Sequence, residues 1–332
     1  MSKLNLLGYW CRRFLEEYLI SVRNFSYNTK KSYRDTLVLL LPYLTKQGKI
    51  SVDNLSVDDM TSDRVYSFLL YLEKERNSSI STRNQRLSAI HAFARFIGSS
   101  SPEYVLWSTQ ILSIPFKRGQ SSPVCYLEKK EMDALLNSPD QNTRQGMKDY
   151  ALLLFLYNTG ARASEAANLT IGDLNFSTSS SVRIVGKGNK IRFCPLWSLT
   201  INSLRPLISN RAPNDRVFLN CRNQSITRHG INALVGRHAK RAIIEAPTLQ
   251  KKKVSPHSIR HTTAVHLLRA GVDINTIRAW LGHVSLKTTN IYAEVDMEMK
   301  TKALAHCEIM KDSSSSKKKW HSEETMEFLK AI

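Results

Sequence analysis

Residues 150–165 read YALLLFLYNTGARASE, and the way this run begins and ends organises the second half of the chain. From Tyr150 to Tyr157 every residue is aliphatic or aromatic. Without polar alternation, such a run fits a helix buried on all sides. A helix over 145–157 is therefore predicted at the centre of a core. The run is far too short to cross a bilayer. Gly160 supplies the left-handed stop that commonly follows a helix. Arg162 stands just beyond it, where an arginine taken alone is an ordinary surface residue.

Toward the C-terminus, Ser181–Val185 alternates with β-branched residues and Ile191–Pro195 reads as its partner strand. Gly186-Lys187-Gly188-Asn189-Lys190 between them is a hairpin turn. It is not a phosphate-cradling loop, because no strand–GxxxxGK[ST]–helix pattern surrounds it. Helices are predicted over 127–137, 198–208, 229–243, 257–270, 274–281, 286–292 and 297–310. His257-Ser258-Ile259-Arg260-His261 opens one of them just after Pro256. His257 and Arg260, three positions apart, share a helical face. His257 and His261, four apart, have the spacing of a zinc pair, but the glutamate of a zinc protease is absent and Arg260 would repel a metal. No metal is expected. Further on, Gly282 ends a helix, Ser285 can cap the next, and Tyr292 falls about two turns in.

Toward the N-terminus, apolar periodicity predicts helices over 9–19, 28–44, 62–75 and 81–97, the second capped by Asn28. Lys30, Arg34, Arg83 and Arg86 project from this unit as candidate contacts for an anionic partner, with Arg237, Lys240 and Arg241 as weaker candidates in the second half. Any one of them could equally belong to a solvated face. Gly98 to Pro123, with its GSSSP and KRGQSSP segments, reads as an extended basic connector. The expected division is 1–98, a helical domain; 99–124, a linker; 125–310, a second domain; and 311–332, a tail. That tail opens with KDSSSSKKK at 311–319, and its amphipathic end is a candidate for docking onto another subunit.

The chain has 332 residues, with 48 Lys and Arg against 28 Asp and Glu, for a formal charge of +20. Such an excess favours a polyanionic partner through counterion release, although a ribosomal or membrane-surface protein shares the feature. Five scattered cysteines, with no Cys-x-x-Cys pair, argue against a disulfide framework or structural zinc and for a reduced, cytoplasmic setting. The first residues, MSKLNLLGYWCRRFLEEY, interleave charge with apolar residues and do not read as a signal peptide. No membrane association is expected.

Taken together, TGARASE at 159–165, GKGNKIR at 186–192, HSIRH at 257–261 and LGHVSLKTTNIY at 281–292 resemble the tyrosine recombinase family, the phage-integrase and Xer-like enzymes. The resemblance extends over about 9–310 and includes the N-terminal helices, which look like the family's core-binding domain. It implies a mainly α fold: a four-helix SAM-like domain, then a mostly helical catalytic domain with a small antiparallel sheet. It also implies a catalytic set of Arg162, Lys187, His257, Arg260, His283 and Tyr292, with Tyr292 as the nucleophile.

Those residue types suit transesterification of a DNA phosphodiester. Two guanidiniums, Arg162 and Arg260, match the extra charge on the non-bridging oxygens of the transition state. A phenol with an ordinary pKa near 10 is a weak nucleophile at neutral pH and needs a base, for which His257 is the candidate. Lys187 is assigned as the acid that protonates the departing 5′-oxygen, and His283 as an orienting donor to the phosphate. The resemblance implies a 3′-phosphotyrosyl intermediate, no cofactor, double-stranded DNA as partner, and a homo- or hetero-tetramer on two DNA sites, in the service of a mobile element or replicon resolution. A relaxing enzyme like the type IB topoisomerases, or a DNA-binding protein without catalysis, remain open as alternatives.

Overall fold

Short polar residues ahead of apolar periodicity decide where the helices start. The computed structural model describes residues 5–119, 124–177 and 180–282, with the backbone but not the side chain of Lys187. The chain divides into two units, Met1–Ser121 and Ser122–Ile332.

In the first unit α1 (Leu7–Arg12) runs on in wider turns over Arg13–Val22. It is followed by α2 (Tyr27–Gly48), α3 (Ser62–Lys74), α4 (Ile80–Ser100) and α5 (Val105–Leu112). Ser26, Thr61 and Ser79 cap α2, α3 and α4, each hydroxyl accepting from the N–H three residues on. Ser26, not Asn28, therefore starts α2, two residues earlier than expected. Trp10, Phe14, Leu40, Phe68, Phe93 and Ile111 meet in one core. The aromatic rings of Phe14 and Phe93 lie 5.2 Å apart, within the range of favourable aromatic pairs.

The stretch read as an extended connector is a helix over Val105–Leu112. Ile111 and Ile114 are buried in the first core, and the Trp107 indole donates to the Met60 carbonyl at 2.9 Å. Its turn-forming flanks signalled only the bends. Beyond α5 the chain is clasped to α4. The Asn84 amide donates to the Lys117 carbonyl at 2.8 Å and accepts from the Lys117 N–H at 3.1 Å, while the Lys117 ammonium reaches Glu73 at 2.5 Å.

The second unit is helical around a small sheet. Its elements are α6 (Lys129–Asn137), α7 (Arg144–Thr159), α8 (Ala163–Asn168), β1 (Leu174–Asn175), β2 (Ser181–Val185) and β3 (Ile191–Pro195). Then come α9 (Ser198–Ile208), α10 (Arg228–Ala242), α11 (Pro256–Arg269) and α12 (Ile274–Leu281). The strands form an antiparallel sheet in the order β1-β2-β3, with Val182 opposite Cys194 and Val185 opposite Ile191. Val182 and Ile184 face the core and their neighbours face out, as period-2 alternation requires. Helix α7 is central: Leu153, Phe155 and Leu156 are wholly buried. Helix α8 and strand β1 were not foreseen; both are too short to carry a periodic signal.

No described helix is long and apolar enough to cross a membrane.

Candidate active site

Helix α7 ends at Gly160 in a left-handed conformation, φ 59° and ψ 27°. A Cβ there would lie 2.5 Å from Leu281 Cδ2, so glycine permits both the turn and the close approach of α12. Arg260, on α11 and 99% buried, fills the junction. Its Nη1 donates to the Gly160 carbonyl at 2.6 Å and its Nη2 to the Leu281 carbonyl at 2.5 Å. Asn158 ties the end of α7 to neighbouring elements. Its amide donates to the Pro195 carbonyl and accepts from the Trp197 N–H, while its own carbonyl accepts from the Trp280 indole.

Immediately after Gly160, Arg162 is the N-cap of α8 and Glu165 returns to it. Glu165 accepts from the Arg162 backbone N–H at 2.9 Å and from Arg162 Nη1 at 2.7 Å. Burial pushes the Glu165 carboxyl up, but the Arg192 guanidinium, followed by contacts to Arg162, holds it below the ordinary carboxylate range. Arg162 thus sits at the rim, its side chain 39% exposed and its head oriented by a carboxylate.

Ser255 caps α11, and Pro256 occupies its first turn. This places His257 at the pocket mouth. Desolvation, then the charges of Arg260 and Arg162, hold the His257 imidazole below its ordinary pKa, so the neutral form that can accept a proton is favoured. His261 packs edge to face on His257, ring centroids 4.2 Å apart. Burial, then the charges of His257 and Arg260, push His261 down to about 4.

Arg162, Ser164, Arg228, Asn232, His257 and Arg260 line one cavity of about 250 Å³, and no carboxylate is among its lining residues within the described part of the chain. Three guanidiniums and an imidazole around so small a space suit a phosphate diester anion. Three of the six proposed catalytic residues are thus brought together: Arg162, His257 and Arg260. Lys187 lies in the turn joining β2 and β3, where Gly188 and Asn189 take left-handed conformations. Its side chain, His283, Tyr292 and the 311–332 tail lie outside the described residues. A larger cavity of about 800 Å³, between α7, α9 and the 217–226 segment, holds none of the candidates.

Arg228 and Asn232 were not singled out in the sequence. They stand one turn apart at the start of α10, after the Thr227 cap, and that i, i+4 spacing is the only local signal they carry. Glu165 and Arg192 lay within the quoted motifs but had been given no role.

Among the DNA-contact candidates, Arg83 is corrected. It is 96% buried, with its Nη1 on the Pro115 carbonyl at 3.1 Å and its Nε 3.6 Å from Glu73. Its charge holds the chain after α5 and faces no surface on which DNA could lie. Arg86 is half-buried and donates to the Asp35 carbonyl, Lys30 is half-buried, and Arg34 is exposed but paired with Asp35. Arg237, Lys240 and Arg241 are exposed toward the far end of α10 and do not line the pocket. Arg237 pairs with Asp149 at 3.0 Å.

Comparison with known proteins bears on the family and the fold. Residues 125–299 match the phage integrase family, and 12–99 match the phage integrase N-terminal SAM-like domain. A Sinorhizobium fredii protein named as an integrase/recombinase, y4rC, is 36% identical over 307 residues, covering 92% of each chain. The tyrosine recombinase XerC of Staphylococcus haemolyticus is 30% identical over 306 residues, covering 88% of this chain and 95% of its own. The fold resembles that of the Tn1549 transposon integrase in complex with a circular intermediate DNA, with a TM-score of 0.68 and 18% identity over 90% of this chain and 99% of that one. With one family model spanning more than half of the sequence and another covering the N-terminal helices, the chain belongs to the phage integrase family of tyrosine recombinases.

Proposed function

We propose that this recombinase cuts and rejoins duplex DNA at specific sites through a covalent bond to Tyr292. The phenol oxygen attacks the scissile phosphorus, forming a 3′-phosphotyrosyl ester as the bond to the 5′-oxygen breaks. His257 accepts the phenol proton, and the Lys187 ammonium gives one to the departing 5′-oxygen. Arg162 and Arg260 hold the non-bridging oxygens, and His283 orients the same phosphate. Attack by a 5′-hydroxyl of another strand runs these transfers in reverse. The ester conserves the bond energy, so the residues named suffice for the exchange.

The observation that carries this reading is the convergence of Arg162, Arg260 and a neutral-favoured His257 on one cavity whose described lining holds no carboxylate. The names of the relatives and the DNA held by the Tn1549 integrase support duplex DNA as the substrate. The first unit, 1–98 with α5 added, serves as the core-binding domain; 125–310 is the catalytic domain; and the 311–332 tail contacts a neighbouring subunit. Exchange between two sites engages four subunits, identical or mixed, in the cytoplasm. Lys30, Arg34 and Arg86 in the first unit and Arg237, Lys240 and Arg241 in the second remain the candidates for phosphate contact.

A nicked suicide substrate tests the nucleophile. The wild-type protein is expected to form a denaturation-resistant adduct, and Tyr292→Phe to bind DNA equally well but form none. An adduct that persists in the Phe variant removes Tyr292 from its role. Site-independent relaxation of supercoiled plasmid would instead favour a topoisomerase.

A further inference from the structure

Beside the pocket lies a second guanidinium–carboxylate pair that is not part of its described lining. Arg192 on β3 donates from Nη2 to Glu165 Oε2 at 2.7 Å, with both side chains more than nine-tenths buried. Two glycines enclose the pair. A Cβ at Gly186 would stand 3.3 Å from Glu165 Oε1, and a Cβ at Gly282 would stand 3.1 Å from Arg192 Cδ. Gly186 leads directly into Lys187, and Gly282 directly into His283. The pair therefore borders the backbone that enters two of the proposed catalytic positions, and its carboxylate orients a third, Arg162.

The energetics argue against a purely stabilising purpose. A buried ion pair is weak support for a fold, since its desolvation roughly offsets its attraction. Among the described residues the Arg192 Nε also has no hydrogen-bond partner, which costs further free energy. An apolar pair of similar volume would serve stability as well. A planar cation with a fixed carboxylate partner instead supplies direction.

We propose that Arg192 is a positioning residue for strand cleavage: packed between Gly186 and Gly282, it fixes Glu165 and, through it, the Arg162 guanidinium at the scissile phosphate. The inference rests on the proposed role of Arg162. Glu165 is contacted directly by Arg162 and Arg192, and the Cys194 thiol, pushed up by burial, lies on the same strand as Arg192. Arg228, His257 and Arg260 line the adjoining pocket. Arg192 is the strongest influence keeping Glu165 ionised against its burial.

The test measures adduct formation on the nicked substrate across pH, with DNA binding followed separately. In Arg192→Met, affinity is expected to hold while adduct formation falls roughly 100-fold, the scale of a small misplacement of a reacting group. The acid limb of the rate profile should move to higher pH, because the Glu165 carboxyl now takes up a proton more readily. Adding Glu165→Gln should return the limb to its wild-type position while the rate stays low, because a neutral amide cannot hold Arg162 as a carboxylate does. A wild-type rate in Arg192→Met, or a reduced rate with an unmoved limb, overturns the proposal. If circular dichroism shows Arg192→Met unfolded, the double variant decides, since it buries no unpaired charge, and a wild-type rate in it overturns the proposal. The wild-type protein run alongside separates the two readings: no adduct there defeats the Tyr292 chemistry itself.

Discussion

Floor and rim of the pocket each present a guanidinium, held by opposite means. On the floor, Arg260 is sealed from solvent and gripped by two backbone carbonyls, those of Gly160 and Leu281. At the rim, Arg162 is part-exposed and answers to a carboxylate, Glu165. Carbonyl dipoles fix a cation in place without cancelling its charge, whereas a carboxylate aims it while partly neutralising it. The floor therefore offers a rigid, fully charged donor and joins three helices. The rim offers a solvent-facing donor whose direction depends on its carboxylate partner. The difference teaches that two residues assigned the same task should fail differently when altered.

Arg260→Ala should do the most damage. Loss of its contacts to the transition state costs about 2.7–4 kcal/mol of activation, and each orphaned carbonyl adds about 1–3 kcal/mol of fold destabilisation. Adduct kinetics and thermal melting should both report the change, and an unaltered melting curve breaks the comparison. Arg162→Ala should slow cleavage by about 100-fold while hardly moving the melting temperature, because Glu165 keeps Arg192 at 2.7 Å. A melting shift as large as that of Arg260→Ala would erase the distinction.

Gly160→Ala probes the floor's construction alone. A left-handed non-glycine residue costs about 1–3 kcal/mol, and the new methyl meets Leu281. Chemical denaturation should show the loss, and its absence would mean that α12 yields easily. The smallest effect is on the pH axis. Burial and the flanking guanidiniums disfavour protonated His257, so the acid limb of cleavage should lie below pH 6.5, the ordinary imidazole value. A limb at or above that value, or one that survives His257→Asn, contradicts the proposed environment.

Much of this was legible where the signal is local. The strands 181–185 and 191–195 and helix 274–281 fall where alternation, a Gly-rich turn and a terminal glycine placed them. Helix α5 escaped because its anchors, Met60 for Trp107 and the first-unit core for Ile111, come from distant sequence. Arg83 looked like any cation at a helix start; its burial depends on Glu73 and Pro115, which no helical period reveals. In the site, Arg162, His257 and Arg260 were found through the resemblance of their motifs to those of a known family. Arg228 and Asn232 were not, since only folding brings α10 alongside α11 and α8. The hidden Arg192–Glu165 pair was beyond reach for the same reason: an arginine in a strand gives no sign of whether it faces water or a carboxylate 27 residues away.

The clasp between Asn84 and Lys117 has a consequence for anyone rebuilding this protein. One side-chain amide satisfies both backbone polar groups of Lys117, acting as a strand one residue long. The heading on which the polypeptide leaves its first lobe is thus steered by helix α4. Replacing Asn84 would release both backbone groups of Lys117 and loosen that heading.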